Sequence, residues 1–244
     1  MGNADGDGGD ADSWTVDVTG TAGWYDAAWP YRKAVNLDGG SFCETVGGFP
    51  VPIIINDDTD LRDYAQADGD DILFTLADGT TKVPHEIEAY NNVDADLVAW
   101  VKLDIDAGID QTVYMYYGNV AAADQQDRPA LWDAVYLGVW HLTNTQDSTS
   151  SGHDGTNSGA IPWPTGQIAG AYDFDNLDFS AGGQDHIYIP DGGDLTTLGD
   201  TSNNNYTISL WGRLDQLGDF RHFVSKMGTG SVFSGPSPFE IWFS

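Results

Sequence analysis

The amino-acid sequence predicts an all-β chain built as two consecutive antiparallel β-sandwich modules. Three observations carry that expectation. Apolar residues recur in short segments with a period of two, without the longer 3.6-residue rhythm of helices. Thirty Gly and ten Pro are spread along the 244 residues, as many short strands joined by turns require. Of the 38 acidic residues, only Glu44, Glu86, Glu88 and Glu240 are glutamates. The rest are Asp, a poor helix former whose short side chain favours turns.

Residues 1–23 are Gly- and Asp-rich and read as a flexible acidic lead-in without the apolar stretch of a signal peptide. The first module is expected over 24–127. Tyr31 to Leu37 alternates and opens it, followed by the β-branched run Phe49 to Ile55, whose prolines mark an edge or a strand start. The short segment Leu61 to Ala65 is the best helix candidate. Asp71 to Thr75 and Lys82 to Tyr90 flank Asp78-Gly79, a hairpin signal. Leu97 to Leu103 and Thr112 to Tyr117 complete six strands.

The small, polar stretch Ala121 to Pro129 marks the boundary, with 128–133 as a linker and the second module over 134–244. Strand-like segments resume at Ala134 to Leu142, Ala171 to Phe174, His186 to Ile189, Tyr206 to Leu214, His222 to Lys226 and Phe239 to Phe243. The sequence stops inside an apolar segment, which predicts a piece of a longer protein.

Nine basic residues against 38 acids give a formal net charge of -29. Such a field repels phosphate backbones and anionic lipid surfaces, so nucleic acid is excluded as a partner class. Carboxylate oxygens suit Ca²⁺, and a salty medium would equally account for the charge. No apolar run reaches the length of a membrane span. The lone Cys43 allows no internal disulfide and reads as a small buried hydrophobe.

Few constellations carry chemistry. The five histidines show no HxH or HExxH spacing, and there is no GxSxG elbow, P-loop or dinucleotide fingerprint. Glu86 and Glu88, two apart on one predicted strand, share a face. Paired carboxylates about 5 Å apart serve retaining glycosidases, so a polysaccharide hydrolase using these two is the runner-up reading. The plainer reading is a pair of solvated or locally paired acids on an exposed strand. Asp68, Asp70 and Asp71 around Gly69 form an acidic turn without the EF-hand continuation. Trp100, Trp140 and Trp211 lie in apolar segments and are expected in the core, whereas Trp14, Trp24, Trp29 and Trp163 lie in or beside loops. An exposed Trp can stack on a sugar face, and Trp163, within Ile161-Pro162-Trp163-Pro164, is the candidate ligand-binding residue.

Two resemblances add to this. Trp29-Pro30-Tyr31-Arg32, Phe49-Pro50-Val51-Pro52-Ile53, Asp68 to Phe74, Pro84-His85-Glu86-Ile87-Glu88, Ala99-Trp100-Val101 and Tyr116-Tyr117-Gly118-Asn119 follow in order. With them, the N-terminal half resembles domain of unknown function 2341, which implies a β-rich module of surface or exported proteins without an established activity. Further on stand Gly138-Val139-Trp140-His141-Leu142, Asp147 to Gly155, Gly166 to Phe174, Asp185 to Pro190 and Tyr206 to Trp211. The C-terminal half thereby resembles the front part of a laminin-G-like, concanavalin A-like jelly roll, incomplete at its C-terminus.

That second resemblance implies a non-catalytic binding or adhesion module, contacting a glycan or a cell-surface protein from an extracellular, cell-surface or periplasmic location. It implies Ca²⁺ held or a loop ordered at Asp147, with Asp154, Asp175 and Asp185 in later loops that the fold would bring near. Some related chains pair both modules with an ExbB/TolQ-type proton-channel segment, which implies a third reading, a periplasmic sensor or spacer.

Overall fold

The computed structural model describes residues 23–174, 185–190, 192, 193, 195, 205–214, 221–226 and 239–243. The lead-in up to residue 22, with Trp14, lies outside them, as does Asp175. The chain is all-β: among the described residues every strand pairing is antiparallel, and the helices are short. It divides into two units, one ending at Asp133 and one beginning at Ala134.

The first unit is a β-sandwich of two sheets. Strands β1 (Tyr31–Leu37), β2 (Val46–Ile55), β3 (Leu73–Thr75), β4 (Lys82–Val83), β5 (His85–Asn91), β6 (Asp96–Ile105) and β7 (Gln111–Tyr117) supply it. One sheet has the order β1-β7-β3-β4, the other β2-β6-β5. Alternation sorts the side chains: Val51, Ile53, Phe74, Val83, Leu97, Ala99, Val101, Leu103, Val113 and Met115 fill the core between the sheets. Burying apolar side chains of this size contributes roughly 1.5–3 kcal/mol each.

The expected return strand Lys82 to Tyr90 is two strands. Pro84 lacks a backbone donor, the ladder breaks there, and the chain crosses from one sheet to the other. The Asp-Gly hairpin forms as predicted. Gly79 has φ 71°, and a Cβ there would sit 1.8 Å from the Gly23 carbonyl oxygen. Asp78 accepts from the Thr80 and Thr81 amides, both at 2.8 Å, and from the Thr81 hydroxyl at 2.5 Å. In β2, Pro50 and Pro52 pair with Lys102 and Trp100, and β6 is the sole neighbour of β2 in its sheet among the described residues. A ladder that continues past both prolines must turn their ring nitrogens away from β6.

The helix candidate is α1 (Thr59–Tyr64), capped by Asp58, which accepts from the Asp60 and Leu61 amides and pairs with Lys33. The stretch expected as a linker contains α2 (Arg128–Leu131), capped by Asp127. Leu131 and Trp132 are buried, so 128–133 belongs to the first unit.

Residues 23–30 cover the outer face of the four-stranded sheet. Trp29 is buried with Leu73 and Tyr116, and its indole donates to the Asp71 carbonyl at 2.7 Å. The Arg32 guanidinium lies 4.5 Å from the Trp24 ring and 4.2 Å from the Tyr114 ring. Two loop tryptophans are therefore committed to packing.

The second unit contains three two-stranded ladders among the described residues. β8 (Thr156–Ser158) pairs with β11 (His186–Tyr188), β9 (Ile161–Trp163) with β10 (Ala171–Asp173), and β12 (Arg221–Lys226) with β13 (Phe239–Phe243). The segments Ala134 to Leu142 and Tyr206 to Leu214, expected as strands, are not strands. In the first, the Val139 amide donates to Asp147 and its carbonyl accepts from Ser148, so a local loop takes the groups a neighbouring strand would need. Trp211, expected in the core, is 74% exposed. Cys43, expected to be buried, is exposed, because it follows the short turn Gly39–Ser41 outside the sheets.

Candidate functional site

The acids that the sequence singled out have distinct fates. Glu86 and Glu88 do share the outer face of β5. A bulge between Ile87 and Ala89 lets both carboxylates turn toward the same pair of indoles. Trp132 donates to Glu86 Oε2 at 2.5 Å, and Trp100 donates to Glu88 Oε2 at 2.6 Å. The two rings lie 5.7 Å apart at 59°. Arg128 Nε reaches Glu86 Oε1 at 3.2 Å. Lys102, beside Trp100, donates to the Asp133 carboxylate and the Ala130 carbonyl, at 2.7 and 2.8 Å.

Glu86 is 3% exposed and so is not the solvated acid that an exposed strand would carry. The cost of burying its charge is offset by an indole donor and a guanidinium. A glycosidase pair needs carboxylates that reach a sugar from solvent, one of them holding a proton. Here α2 closes over Glu86, and what the arrangement does is fasten α2 and Trp132 to the sheet.

The acidic turn before β3 is also an organiser. Asp71 is fully buried, and its carboxylate accepts from the Gln66 amide at 2.9 Å and the Gly118 amide at 2.6 Å. Burial pushes its pKa up while those amides pull it down, the net direction being upward. Asp68 accepts from the Asp70 amide at 3.2 Å, the turn chemistry expected of it.

In the second unit, Asp147 holds its own loop. Oδ1 accepts from the Val139 and Thr149 amides, each at 2.9 Å. Oδ2 accepts from the Thr149 hydroxyl at 2.8 Å and the His153 amide at 2.9 Å. Asp154 is brought alongside and accepts from the Asp147 amide at 2.9 Å. Asp185 lies beside Gly159, where a Cβ would meet its Oδ1 at 2.1 Å.

Ca²⁺ takes six to eight oxygens. Four donors already occupy the lone-pair directions of Asp147, and among the described residues no group of three His, Cys, Asp or Glu side chains gathers to hold a metal. The described donor set does not fit a Ca²⁺ cage centred on Asp147.

Trp163 lies on β9 and is 49% exposed, with Ile161 two residues earlier equally exposed. Residues two apart on a strand share a face, so the two form one apolar surface. Sequence reasoning missed His85, which is fully buried with both ring nitrogens unpartnered. Its flanks, Pro84 and Glu86, were the available signal: a proline break beside a histidine in a strand of the core.

The first unit is thus an antiparallel β-sandwich fastened at one end by paired carboxylates and indoles. Within it, residues 68–136 match the family described as Domain of unknown function (DUF2341), a span that includes His85, both glutamates and both indoles of that fastening. No curated protein and no solved structure matches the chain. No helix among the described residues is long and apolar enough to cross a membrane.

Proposed function

We propose that the chain is a non-catalytic binding module of a secreted, cell-surface or periplasmic protein, and that its second unit takes carbohydrate. One observation supports this reading: the apolar surface of Trp163 and Ile161, left half-exposed on β9. A flat indole face offers apolar area to the C–H face of a sugar ring. The likeness to a laminin-G-like, concanavalin A-like jelly roll is part of this proposal and rests on the motifs of the C-terminal half. The net charge of -29 favours neutral glycans over anionic ones, since the field of the chain repels the latter.

The test is retention of the whole chain on a panel of neutral insoluble polysaccharides, beside Trp163→Ala. Retention of the parent on at least one polymer, with about tenfold weaker binding by the variant, is expected, because losing a stacking aromatic costs on the order of 1–2 kcal/mol. Failure of the parent to bind any polymer would remove carbohydrate and leave a surface protein as the partner class.

A further inference from the structure

His85 stands where the chain leaves one sheet for the other. Pro84 follows β4, and His85 is the first residue of β5. The imidazole is fully buried and packs edge-on against Phe74, ring centroids 5.3 Å apart at 66°. Neither ring nitrogen has a hydrogen-bond partner. The backbones of Ile72 and Val83 lie near enough to favour a proton on the ring, yet neither completes a bond. Burial, then the nearby charge of Lys82, pushes the His85 pKa down to about 4.

The backbone of His85 carries a second task. Its carbonyl accepts from the Asp127 amide at 3.0 Å. The same segment, 124–127, is held along the sheet edge by three more bonds. The Ile87 amide donates to Gln126 Oε1 at 2.8 Å, Lys82 Nζ to Gln125 Oε1 at 2.8 Å, and the Gln125 amide to the Asp70 carbonyl at 3.1 Å. This strap runs directly into α2 and Trp132.

We infer that His85 is an acid-sensitive latch: on taking a proton it opens the β4–β5 corner and releases the 124–127 strap, with α2, from the sheet edge. A neutral imidazole is tolerated in this apolar corner, whereas an imidazolium buries a full charge there, and the nearby backbones of Ile72 and Val83 offset less than that burial costs. Charged residues on the elements packed against the corner are Lys82 on β4, Glu86 and Glu88 on β5, Lys102 on β6, Asp70 and Asp71 before β3, Asp124 and Asp127 on the strap, and Arg128 on α2, which pairs with Glu86. Lys82 repels the imidazolium, and Asp124 attracts it more weakly than burial opposes it.

The direction follows from linkage. The closed form binds the proton less readily than the open form, whose histidine titrates near 6.5. Closure is therefore fully favoured above pH 6.5 and weakens as the pH falls toward 4. With those two values, opening rises about tenfold at pH 5.5 and about thirtyfold at pH 5. The many carboxylates act the other way, since protonating them relieves self-repulsion and favours the compact state.

The test is amide hydrogen exchange of the whole chain between pH 7.5 and 5, corrected for intrinsic rates, read at Ile87, Gln125 and Asp127. Opening at these amides is expected to rise tenfold by pH 5.5, while the β1–β7 ladder keeps its protection. His85→Phe, which keeps an aromatic ring against Phe74, abolishes the rise. An equal rise in His85→Phe, or no rise in the parent, overturns the latch. Should His85→Phe and His85→Leu both fail to fold, ring-nitrogen NMR of the parent decides. A ring that stays neutral down to pH 5 until the strap amides lose protection supports the latch. A ring protonated near pH 6.5 with the strap still protected overturns it.

Discussion

The indole of Trp132 donates to the carboxylate of Glu86 at 2.5 Å across 46 residues of sequence, tying the end of the first unit to its β5 strand. Removing one partner leaves the other buried without its bond, which costs more than the bond itself contributes. Trp132→Phe keeps the ring and deletes the donor. It is expected to destabilise the first unit by about 1–3 kcal/mol in urea denaturation. Glu86→Gln should cost less, because its amide still accepts from Trp132 and no longer leaves a buried charge. The reverse ranking would show that the ion pair with Arg128 dominates.

Asp71 closes a junction that no neighbouring strand supplies. Asp71→Ala strips acceptors from the Gln66 and Gly118 amides, and a loss of about 2–4 kcal/mol is expected from two charge-assisted bonds. A chemical melt of the variant that matches the parent within about 0.5 kcal/mol would rule out this role.

The Asp78 turn gives a pH signature opposite in range to that of His85. Three donors from Thr80 and Thr81 lower the Asp78 pKa to about 2. Its contribution is fully present above the ordinary value of 3.8 and is lost as the pH falls through about 2. An Asp78→Asn variant should therefore converge with the parent in stability only at the acid end, below about pH 2. Thermal melts at pH 2 and pH 6 read the difference directly.

Asp147 distinguishes a self-capped loop from a cation site. With four loop donors on its carboxylate, melts in EDTA, in millimolar Ca²⁺ and in Mg²⁺ at matched ionic strength should show equal effects of the two cations, as screening of an acidic surface requires. A rise specific to Ca²⁺ would place a native-state site in the chain by mass action. Asp147→Ala is expected to lower the melting temperature in EDTA as well as in Ca²⁺.

The strands of the first unit were legible because alternation, β-branching and turn residues agreed locally. β1 spans the predicted Tyr31–Leu37, and in the second unit β13 spans the predicted Phe239–Phe243. What escaped depends on contacts distant in sequence. Trp132 and Arg128 read as linker because nothing nearby shows that they meet Glu86, more than 40 residues earlier. The break at Pro84 was hidden inside Lys82 to Tyr90, which reads as one continuous return strand. The Asp147 loop captured the backbone of Val139 and turned a strand-like segment into a loop. Pro162, which lacks a backbone donor, likewise hides β9 in the sequence. Of the candidate site residues, Trp163 is half-exposed, whereas Glu86 lies on the expected face but is buried rather than exposed.

The paired prolines of β2 have a consequence for assembly. An open strand edge is a template, and another chain can add to it by extending the ladder. Pro50, which is buried, and Pro52, which is exposed, both lack the backbone donor that an added strand would need along the outer edge of β2. A chain this rich in strands would be prone to growing edge to edge. At β2 two of the donors on which such growth depends are missing from the edge.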